Sequence, residues 1–598
     1  MPAPVGGCLP VWLQENKKAV TASRKRQFLI AAILQKDNNL LNLLLSKTGN
    51  MRHFFFLAFS ISCLAAQSQT KSDSIKLVQD ALKLYDLSFT EAEVDSMLDG
   101  LKENKDVYYN MHKLFPPNDL SYPFAFVPAP GMRVPTRRER ISWDIPNQTQ
   151  LPANRDELAY YSIPQLAALL INKRISSVEL TKFFIERLKK YGDTLQCVIS
   201  LTEDIAMQQA RQADEEIAKG VYRGPMHGIP YGLKDLFAVK GTKTTWGSTP
   251  YKDQVIDEDA FVYKQLRGAG AVLCAKLSLG ALAYDNKWFG GATKNPWNLK
   301  QGSSGSSAGS AAATSAGLLP FAIGTETWGS IVSPSTRCGV TGLRPTFGTV
   351  SRNGGMVLSW SLDKIGPICR SAEDAAIVYA FIHGTDNLDP GSIRHSFNYT
   401  GKIEDYKKLR IAYAGNYFKR LATDAPEWKV LEVFRSLGAD VKNVVFPDST
   451  IYPFDIMNVV ISAESAAAFD ELTRNNKDDL IERQDKNFWP NIFRTARTIP
   501  AVEYINANRW RSKLCKDLRG FMSNFDVVIV PTFAGNQSAM TNLTGHPVVC
   551  MPIGFNKNGT PVSITLIGNL YDEATILAAA KAFQDKTDHH LQHPPLFK

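Results

Sequence analysis

The sequence predicts an α/β fold, and three observations carry that expectation. Beyond residue 225, short β-like runs such as Ala271-Val272-Leu273 and Phe321-Ala322-Ile323 alternate with Ala-rich or amphipathic helical stretches. The composition, 44% apolar and 21% charged with 40 Gly and 32 Pro, is that of a globular protein, so wholesale disorder, collagen-like repeats and coiled coil are excluded. No repeat, charge block or long linker interrupts residues 155–590. Although 598 residues would on length alone suggest about four domains, residues 155–598 therefore read as one large domain.

The chain begins with a basic stretch. Residues 1–50 hold seven Lys/Arg against Glu15 and Asp37, which is half of the formal net charge of +10. The remainder is only mildly basic and has no basic stripe interleaved with aromatics, so no nucleic-acid partner is expected. Met51-Arg52-His53, the apolar stretch Phe54 to Leu64 and the small-residue site Ala66-Gln67-Ser68 follow the order of a secretory signal. Residues 51–68 thus read as a signal peptide, with Met51 as the expected start, residues 1–50 as an upstream extension and a mature chain beginning near Gln69. A lipid-bearing Cys63 is the weaker alternative, since Ser60-Ile61-Ser62 is a poor preceding motif. The expected location is periplasmic or secreted. No transmembrane anchor is expected, because the apolar run 54–66 falls short of the roughly 20 residues that a spanning helix needs.

Residues 69–154 read as a helical lead-in followed by a Pro-rich strap: charged and apolar residues recur at helical spacing over 71–115, and Phe115-Pro116-Pro117 and Pro128-Ala129-Pro130-Gly131 follow. Ser162-Ile163-Pro164-Gln165 and Ser176-Ser177-Val178-Glu179 have capping-box spacing, and Leu180, Phe184 and Leu188 then fall on one helical face. Residues 455–520 are helical by pattern and suit a cap within the large domain. The eight cysteines are widely spaced, without CxxC or a Cys/His cluster, so no metal site is expected and buried free thiols are.

The most unusual segment is Gln301-Gly302-Ser303-Ser304-Gly305-Ser306-Ser307-Ala308-Gly309-Ser310, which runs into Ala311-Ala312-Ala313. A flexible linker would join domains, whereas this loop opens an Ala-rich helix and offers hydroxyls and backbone N–H groups to a developing negative charge. Gly305-Ser306-Ser307-Ala308-Gly309 also matches GxSxG, which would make Ser307 the nucleophile of a Ser-His-acid triad. The flank argues against that: Asn295-Pro296-Trp297-Asn298-Leu299-Lys300 is no apolar strand, and the nine His offer no obvious partner.

These residues belong to a longer series. Gly228-Ile229-Pro230-Tyr231-Gly232-Leu233-Lys234-Asp235, Asn295-Pro296-Trp297-Asn298, Gly305 to Ala313, Gly324-Thr325-Glu326-Thr327-Trp328-Gly329-Ser330-Ile331, Cys338 to Thr346, Phe525 to Thr532, Gly545-His546-Pro547 and Asp572-Glu573-Ala574-Thr575 together resemble the amidase signature family of serine hydrolases. The resemblance spans roughly residues 155–585. It implies a mixed central β-sheet covered by helices on both faces, and a Ser-Ser-Lys triad with the central serine beside a cis peptide bond. By motif position the nucleophile would be Ser330, the bridging serine Ser306 and the base Lys234, with the backbone N–H groups of Thr327, Trp328, Gly329 and Ser330 as the oxyanion hole and no cofactor or metal. The chemistry is coherent: burial can push a lysine toward its neutral form, and a serine that both donates and accepts can relay a proton. Asp235 reads as a structural acceptor.

Two departures from the family pattern bear on substrate. Trp328 stands where a glycine is usual, in a Thr325-Glu326-Thr327-x-Gly329-Ser330 form similar to the peptide-amidase and acylamidase branch. Val332 stands where many members carry an arginine. The resemblance therefore implies an exported amidase acting on a small-molecule or peptide amide. The alternatives are an A-type subunit of a glutamyl- or aspartyl-tRNA amidotransferase, which the missing arginine and the signal disfavour, and a catalytically inactive binding member, which the joint retention of Lys234, Ser306 and Ser330 disfavours. Oligomeric state is not legible.

Overall fold

Strands buried on both sides organise the molecule. The structure, a computed structural model, describes residues 71–83, 87–112, 126–447 and 453–598. Among these residues an eleven-stranded sheet is formed by β1 (Val198–Leu201), β2 (Pro230–Lys234), β3 (Val272–Leu277), β4 (Phe321–Glu326), β5 (Thr341–Arg344), β6 (Lys364–Cys369), β7 (Ile411–Ala414), β8 (Val441–Val444), β9 (Val527–Pro531), β10 (Val548–Phe555) and β11 (Pro561–Gly568). Their spatial order is β1-β3-β2-β4-β6-β5-β10-β11-β9-β7-β8. Strands β3, β2 and β4 are mutually parallel, as are β9, β7 and β8, and the other neighbours pair antiparallel. This is the mixed sheet that the resemblance implies.

Side-chain alternation divides the core in two. Along β9, Val527 and Ile529 enter one apolar cluster while Val528 and Val530 enter another, and Val549 and Met551 part from Val548 and Cys550 along β10 in the same way. Successive side chains of a strand point to opposite faces, so the clusters lie on the two faces of the sheet. The first is covered by helices Ser177–Leu195, Ala372–Ile382 and Glu573–Gln584, and the second by Ile456–Ala468, Ala501–Met522 and Gln537–Thr544. Leu180, Phe184 and Leu188 are all buried, as their spacing predicts. Both predicted capping boxes form: Ser162 and Gln165 bond reciprocally, as do Ser176 and Glu179, so orphan N–H groups at each helix start are satisfied.

The chain divides into two compact units, residues 1–86 and 87–598. In the first, the described element is helix Lys71–Leu82. In the second, helix Glu91–His112 is followed from residue 126 by a strap without helix or strand as far as residue 154. The strap is tied down by Asn398, which accepts from the Glu139 N–H at 3.0 Å and donates to the Arg137 carbonyl at 2.9 Å. The extension 1–50, the signal 51–68 and Cys63 lie outside the described residues. Among the described residues no helix is long and apolar enough to cross a membrane. Cys197, Cys274, Cys338, Cys369, Cys515 and Cys550 are buried free thiols, as their apolar surroundings predict.

Segment 455–520 is helical, as its pattern predicts. Part of it covers the sheet, and Phe469, Leu472, Phe488, Trp489 and Phe493 build a third, smaller core with Ala281, Leu282, Ala283 and Leu358.

Candidate active site

Topology gathers the site at one edge of the sheet. Strands β2 and β4 are parallel neighbours, with Gly232 beside Ala322 and Leu233 beside Ile323. Their C-terminal residues, Lys234 on β2 and Thr325 and Glu326 on β4, therefore emerge together. Antiparallel β6 starts at that edge, with Lys364 opposite Glu326 and Asp363 immediately before it. The carboxyl ends of parallel strands are where α/β sheets commonly hold ligands.

Lys234 is fully buried, and its amine donates to three hydroxyls: Ser306 Oγ at 2.8 Å, Ser307 Oγ at 3.1 Å and Thr325 Oγ1 at 2.8 Å. Burial lowers its pKa to about 7, against the upward pull of the more distant Asp363 and Glu326 carboxylates. The contrast with Lys276 on β3 is instructive. That lysine is equally buried, but its amine stands 2.7 Å from Asp235 Oδ1. Asp235 also accepts from the N–H and hydroxyl of Thr245 at 2.8 and 2.5 Å, which makes it the structural acceptor expected from the sequence. Of two adjacent buried lysines, one is paired with a carboxylate and the other faces only neutral oxygens.

The Ser/Gly loop supplies those oxygens. The Gly305–Ser306 peptide bond is cis, at the position the resemblance implies. Gly305 must lack a side chain, because a Cβ there would stand 1.8 Å from the Asp285 carbonyl oxygen. Ser307 is fully buried; its hydroxyl donates to the Thr325 carbonyl and accepts from the Thr325 N–H, both at 3.1 Å, while also receiving the Lys234 amine. A hydroxyl so engaged is a brace, and the GxSxG elbow finds no strand of the main sheet before it: residues 298–302 belong to a separate two-stranded ribbon.

Ser330 is brought to this loop through its backbone, where its carbonyl accepts the Ser307 N–H at 3.2 Å. Its own hydroxyl makes no hydrogen bond to a described residue. The structure thus joins Lys234 directly to Ser306 and sets Ser330 beside them without closing the Ser306–Ser330 link. The N–H groups of Thr327, Trp328, Gly329 and Ser330 donate to no other group among the described residues. Gly329 takes φ +84°, with nothing within 4 Å of a Cβ built on it, so glycine is required there by conformation and not by crowding. Trp328 is 42% exposed.

Glu326 sets the shape of this turn. Its buried carboxylate accepts from the N–H groups of Ile331 at 2.9 Å and Val332 at 3.0 Å, from Arg344 Nη1 at 2.7 Å and from Asn542 Nδ2 at 2.9 Å. Burial alone would raise its pKa, but Arg344 and the Val332 N–H outweigh it and hold the carboxyl down to about 2. Thr327 is fixed from the other side by its hydroxyl, which donates to Asp363 Oδ1 at 2.5 Å. Asp363 in turn accepts the Leu358 and Ser359 N–H groups at 2.8 and 2.9 Å. Sequence reasoning missed Asp363. Its signal, an aspartate opening a buried strand, acquires meaning only once β6 is known to lie against β4.

A cavity of about 250 Å³ opens against Thr325, Thr327 and Asp363. Leu236, Phe237, Met356, Leu358, Trp360 and Leu388 give it apolar walls. Its guanidinium, Arg352, is already paired: Nε and Nη2 donate to the two oxygens of Asp389 at 2.8 and 2.7 Å. Val332 does not line the cavity; its side chain packs into the second core cluster with Leu362, Val548 and Cys550. Its bearing on substrate charge is thus not the direct one that the sequence suggests.

The family model described as "Amidase" matches residues 179–540. The chain belongs to the amidase family. With that family it acts on carbon–nitrogen amide bonds. Among curated proteins, this amidase is similar to the A subunit of the glutamyl-tRNA(Gln) amidotransferase of Coxiella burnetii (strain Dugway 5J108-111), at 33% identity over 481 residues that cover 73% of this chain and 99% of the relative. The protein of the same name from Psychrobacter sp. (strain PRwf-1) is 31% identical over 487 residues, covering 73% and 97%. Among solved structures, the amidase resembles the native peptide amidase of Stenotrophomonas maltophilia, with a TM-score of 0.64 at 28% identity over 72% of this chain and 98% of the other.

Proposed function

We propose that this amidase cleaves an uncharged amide with a bulky apolar acyl group, through an acyl-enzyme on Ser330. The observation that carries the reading is the amine of Lys234: it is buried, faces no carboxylate at hydrogen-bond distance, and donates to Ser306. In its neutral form Lys234 takes the proton of Ser330 by way of Ser306. The Ser330 oxygen adds to the acyl carbonyl, and the free N–H groups of residues 327–330 receive the developing oxyanion. The proton returns to the departing amine, and water then releases the acid by the same path in reverse. An inactive binding member would have no need of a lysine kept uncharged in this way.

The cavity supports the substrate class. A carboxylated substrate would meet Arg352 already neutralised by Asp389, and burying an unpaired carboxylate costs several kcal/mol. Trp360 and Leu388 on the cavity wall offer apolar area to a large acyl group. We expect kcat/KM for a C-terminal peptide amide to exceed that for a malonamate-type half-amide at least tenfold; a preference for the half-amide would overturn the assignment of substrate charge.

A second reading has its own support. The curated relatives are named as subunits of a glutamyl-tRNA(Gln) amidotransferase, in which nitrogen from an amide is passed to an acceptor. The same acyl-enzyme serves both readings, and they part at the amide donor. Free glutamine turned over faster than peptide amides, with ammonia release stimulated by a partner protein, would favour the amidotransferase reading.

Export is part of the proposal, supported by the basic, apolar and small-residue order of residues 51–68. Mass spectrometry of the native protein is expected to place the mature N-terminus near Gln69. A cytosolic form retaining residues 51–68 would defeat it.

A further inference from the structure

The loop 358–363, which leads into β6, serves the amidase site in two ways. Its Leu358 and Ser359 N–H groups bond Asp363, the anchor of Thr327, and Trp360 lines the cavity. Trp360 is 50% exposed and enters none of the three apolar clusters, so packing of its own ring does little to hold it. Its backbone is held instead. The Trp360 carbonyl accepts from Arg352, whose guanidinium is paired with Asp389 beside Leu388, a second exposed residue of the cavity wall.

The residues on either side of Trp360 are fixed by one carboxylate. Glu464, on helix Ile456–Ala468, is buried. Its Oε2 accepts from the Ser359 hydroxyl at 2.6 Å and the Ser361 N–H at 2.9 Å, and its Oε1 accepts from the hydroxyls of Ser361 at 2.6 Å and Tyr504 at 2.7 Å. These four donors occupy both oxygens, and none of them is a cation. The opposing charge is Arg511 on helix Ala501–Met522, which is wholly buried and donates to the Ser361 hydroxyl and carbonyl, both at 2.7 Å, and to the Leu543 carbonyl at 2.5 Å. Ser361 thus bridges a buried carboxylate and a buried guanidinium. Moving the loop would strip donors from the one and acceptors from the other, and a buried charge that loses its partners is expensive. The loop is therefore stiff, and a wall fixed before the substrate arrives adds affinity without an ordering cost.

We propose that Glu464 is a positioning residue of the amidase reaction: by holding Ser359 and Ser361 it fixes Trp360 as the wall that selects an aromatic acyl group. Glu464 does not line the cavity and acts through the loop alone. The proposal rests on the reading of a bulky apolar acyl group and names its class, a flat ring that packs against the indole.

The test compares kcat/KM for 3-phenylpropionamide and propionamide, which differ by one phenyl ring, in the full chain. The native enzyme is expected to prefer the phenyl compound at least tenfold. Trp360→Ala, at an exposed position, should keep the native Tm and lose at least fivefold of that preference through a higher KM for the phenyl amide, with propionamide turned over within twofold of the native rate. Glu464→Ala should lose the preference with Trp360 intact. Glu464→Gln supplies the rescue: its carbonyl oxygen can accept from the Ser359 hydroxyl and the Ser361 N–H, and its amide nitrogen can donate to the hydroxyls of Ser361 and Tyr504. The preference should then stay within twofold of native, although Arg511 loses its opposing charge and Tm falls. If Glu464→Ala does not fold, the Ser359→Ala/Ser361→Ala double variant, which removes two of the four donors, is read in its place, with a loss of at least threefold. A native preference left unchanged by Trp360→Ala, or by the variant that unties the loop, would overturn the proposal and leave the bulky-acyl reading standing, as would a preference that falls together with Tm in Glu464→Gln. A native enzyme that favours propionamide would overturn the bulky-acyl reading itself, and the proposal with it.

Discussion

Replacing Ser330 with Ala, or Lys234 with Ala, is expected to lower kcat by about 10³-fold or more, the scale seen when a member of a catalytic unit is removed. On the proposed mechanism Ser330→Ala deletes the oxygen that carries the acyl group, and its backbone contact to Ser307 is unaffected. The fold should therefore survive, checked by an unfolding midpoint close to that of the native protein. Lys234→Ala removes the proton acceptor of the proposed mechanism and leaves Ser306, Ser307 and Thr325 without their shared donor. Ser306→Ala should retain a residual rate, since a water in place of the hydroxyl can pass the proton. The pH profile supplies an independent check. The amine is held at about 7, and only its unprotonated form can accept a proton, so kcat/KM should rise with pH through about 7 and level off above it. A fully active Ser330→Ala enzyme would sink the assignment.

Some of this site is local in sequence and some is not. Lys234, Ser306 and Ser330 each sit in a short run whose neighbours dictate its conformation: Gly232 lies where a Cβ would come within 2.3 Å of Leu277, Gly305 lies against Asp285, and Gly329 needs a left-handed turn. Such constraints are written beside the residue they serve, and the capping boxes at Ser162 and Ser176 are legible for the same reason. The Thr327–Asp363 and Arg352–Asp389 pairs join residues 36 and 37 positions apart, and Asp235–Lys276 joins neighbouring parallel strands. No periodicity marks these partners, because their meeting depends on strand order. Val332 shows the same limit from another side: its place after the turn is legible, but the direction of its side chain, into the second core, is set by helix Val332–Cys338 packing against β10.

Glu326 carries the largest expected effect on stability. Its carboxylate is the common acceptor for two N–H groups of the turn, for Arg344 and for Asn542, so its loss leaves a buried guanidinium uncompensated as well as two orphaned amides. Breaking a buried pair from one side costs ~3–5 kcal/mol, which is the loss expected for Glu326→Ala in urea unfolding at pH 7. The depressed pKa gives a second measure. A carboxyl of ordinary value 4.5 held at about 2 in the folded state contributes ~3 kcal/mol. Because the folded value lies below the unfolded one, that contribution is complete above 4.5 and disappears as pH falls through about 2. The gap between native and Glu326→Gln stability should therefore narrow steadily from pH 5 to pH 2. Activity should fall in step at pH 7, because Ile331 and Val332 lose the anchor that shapes the Thr327–Ser330 turn, which on the proposed mechanism receives the acyl oxygen. The effect should appear in kcat more than in KM, since the oxyanion contact matters most in the transition state. A Glu326→Gln enzyme with native kcat and less than about 1 kcal/mol of lost stability, on the scale of a surface change, would show that Arg344 and Asn542 hold the turn without the charge.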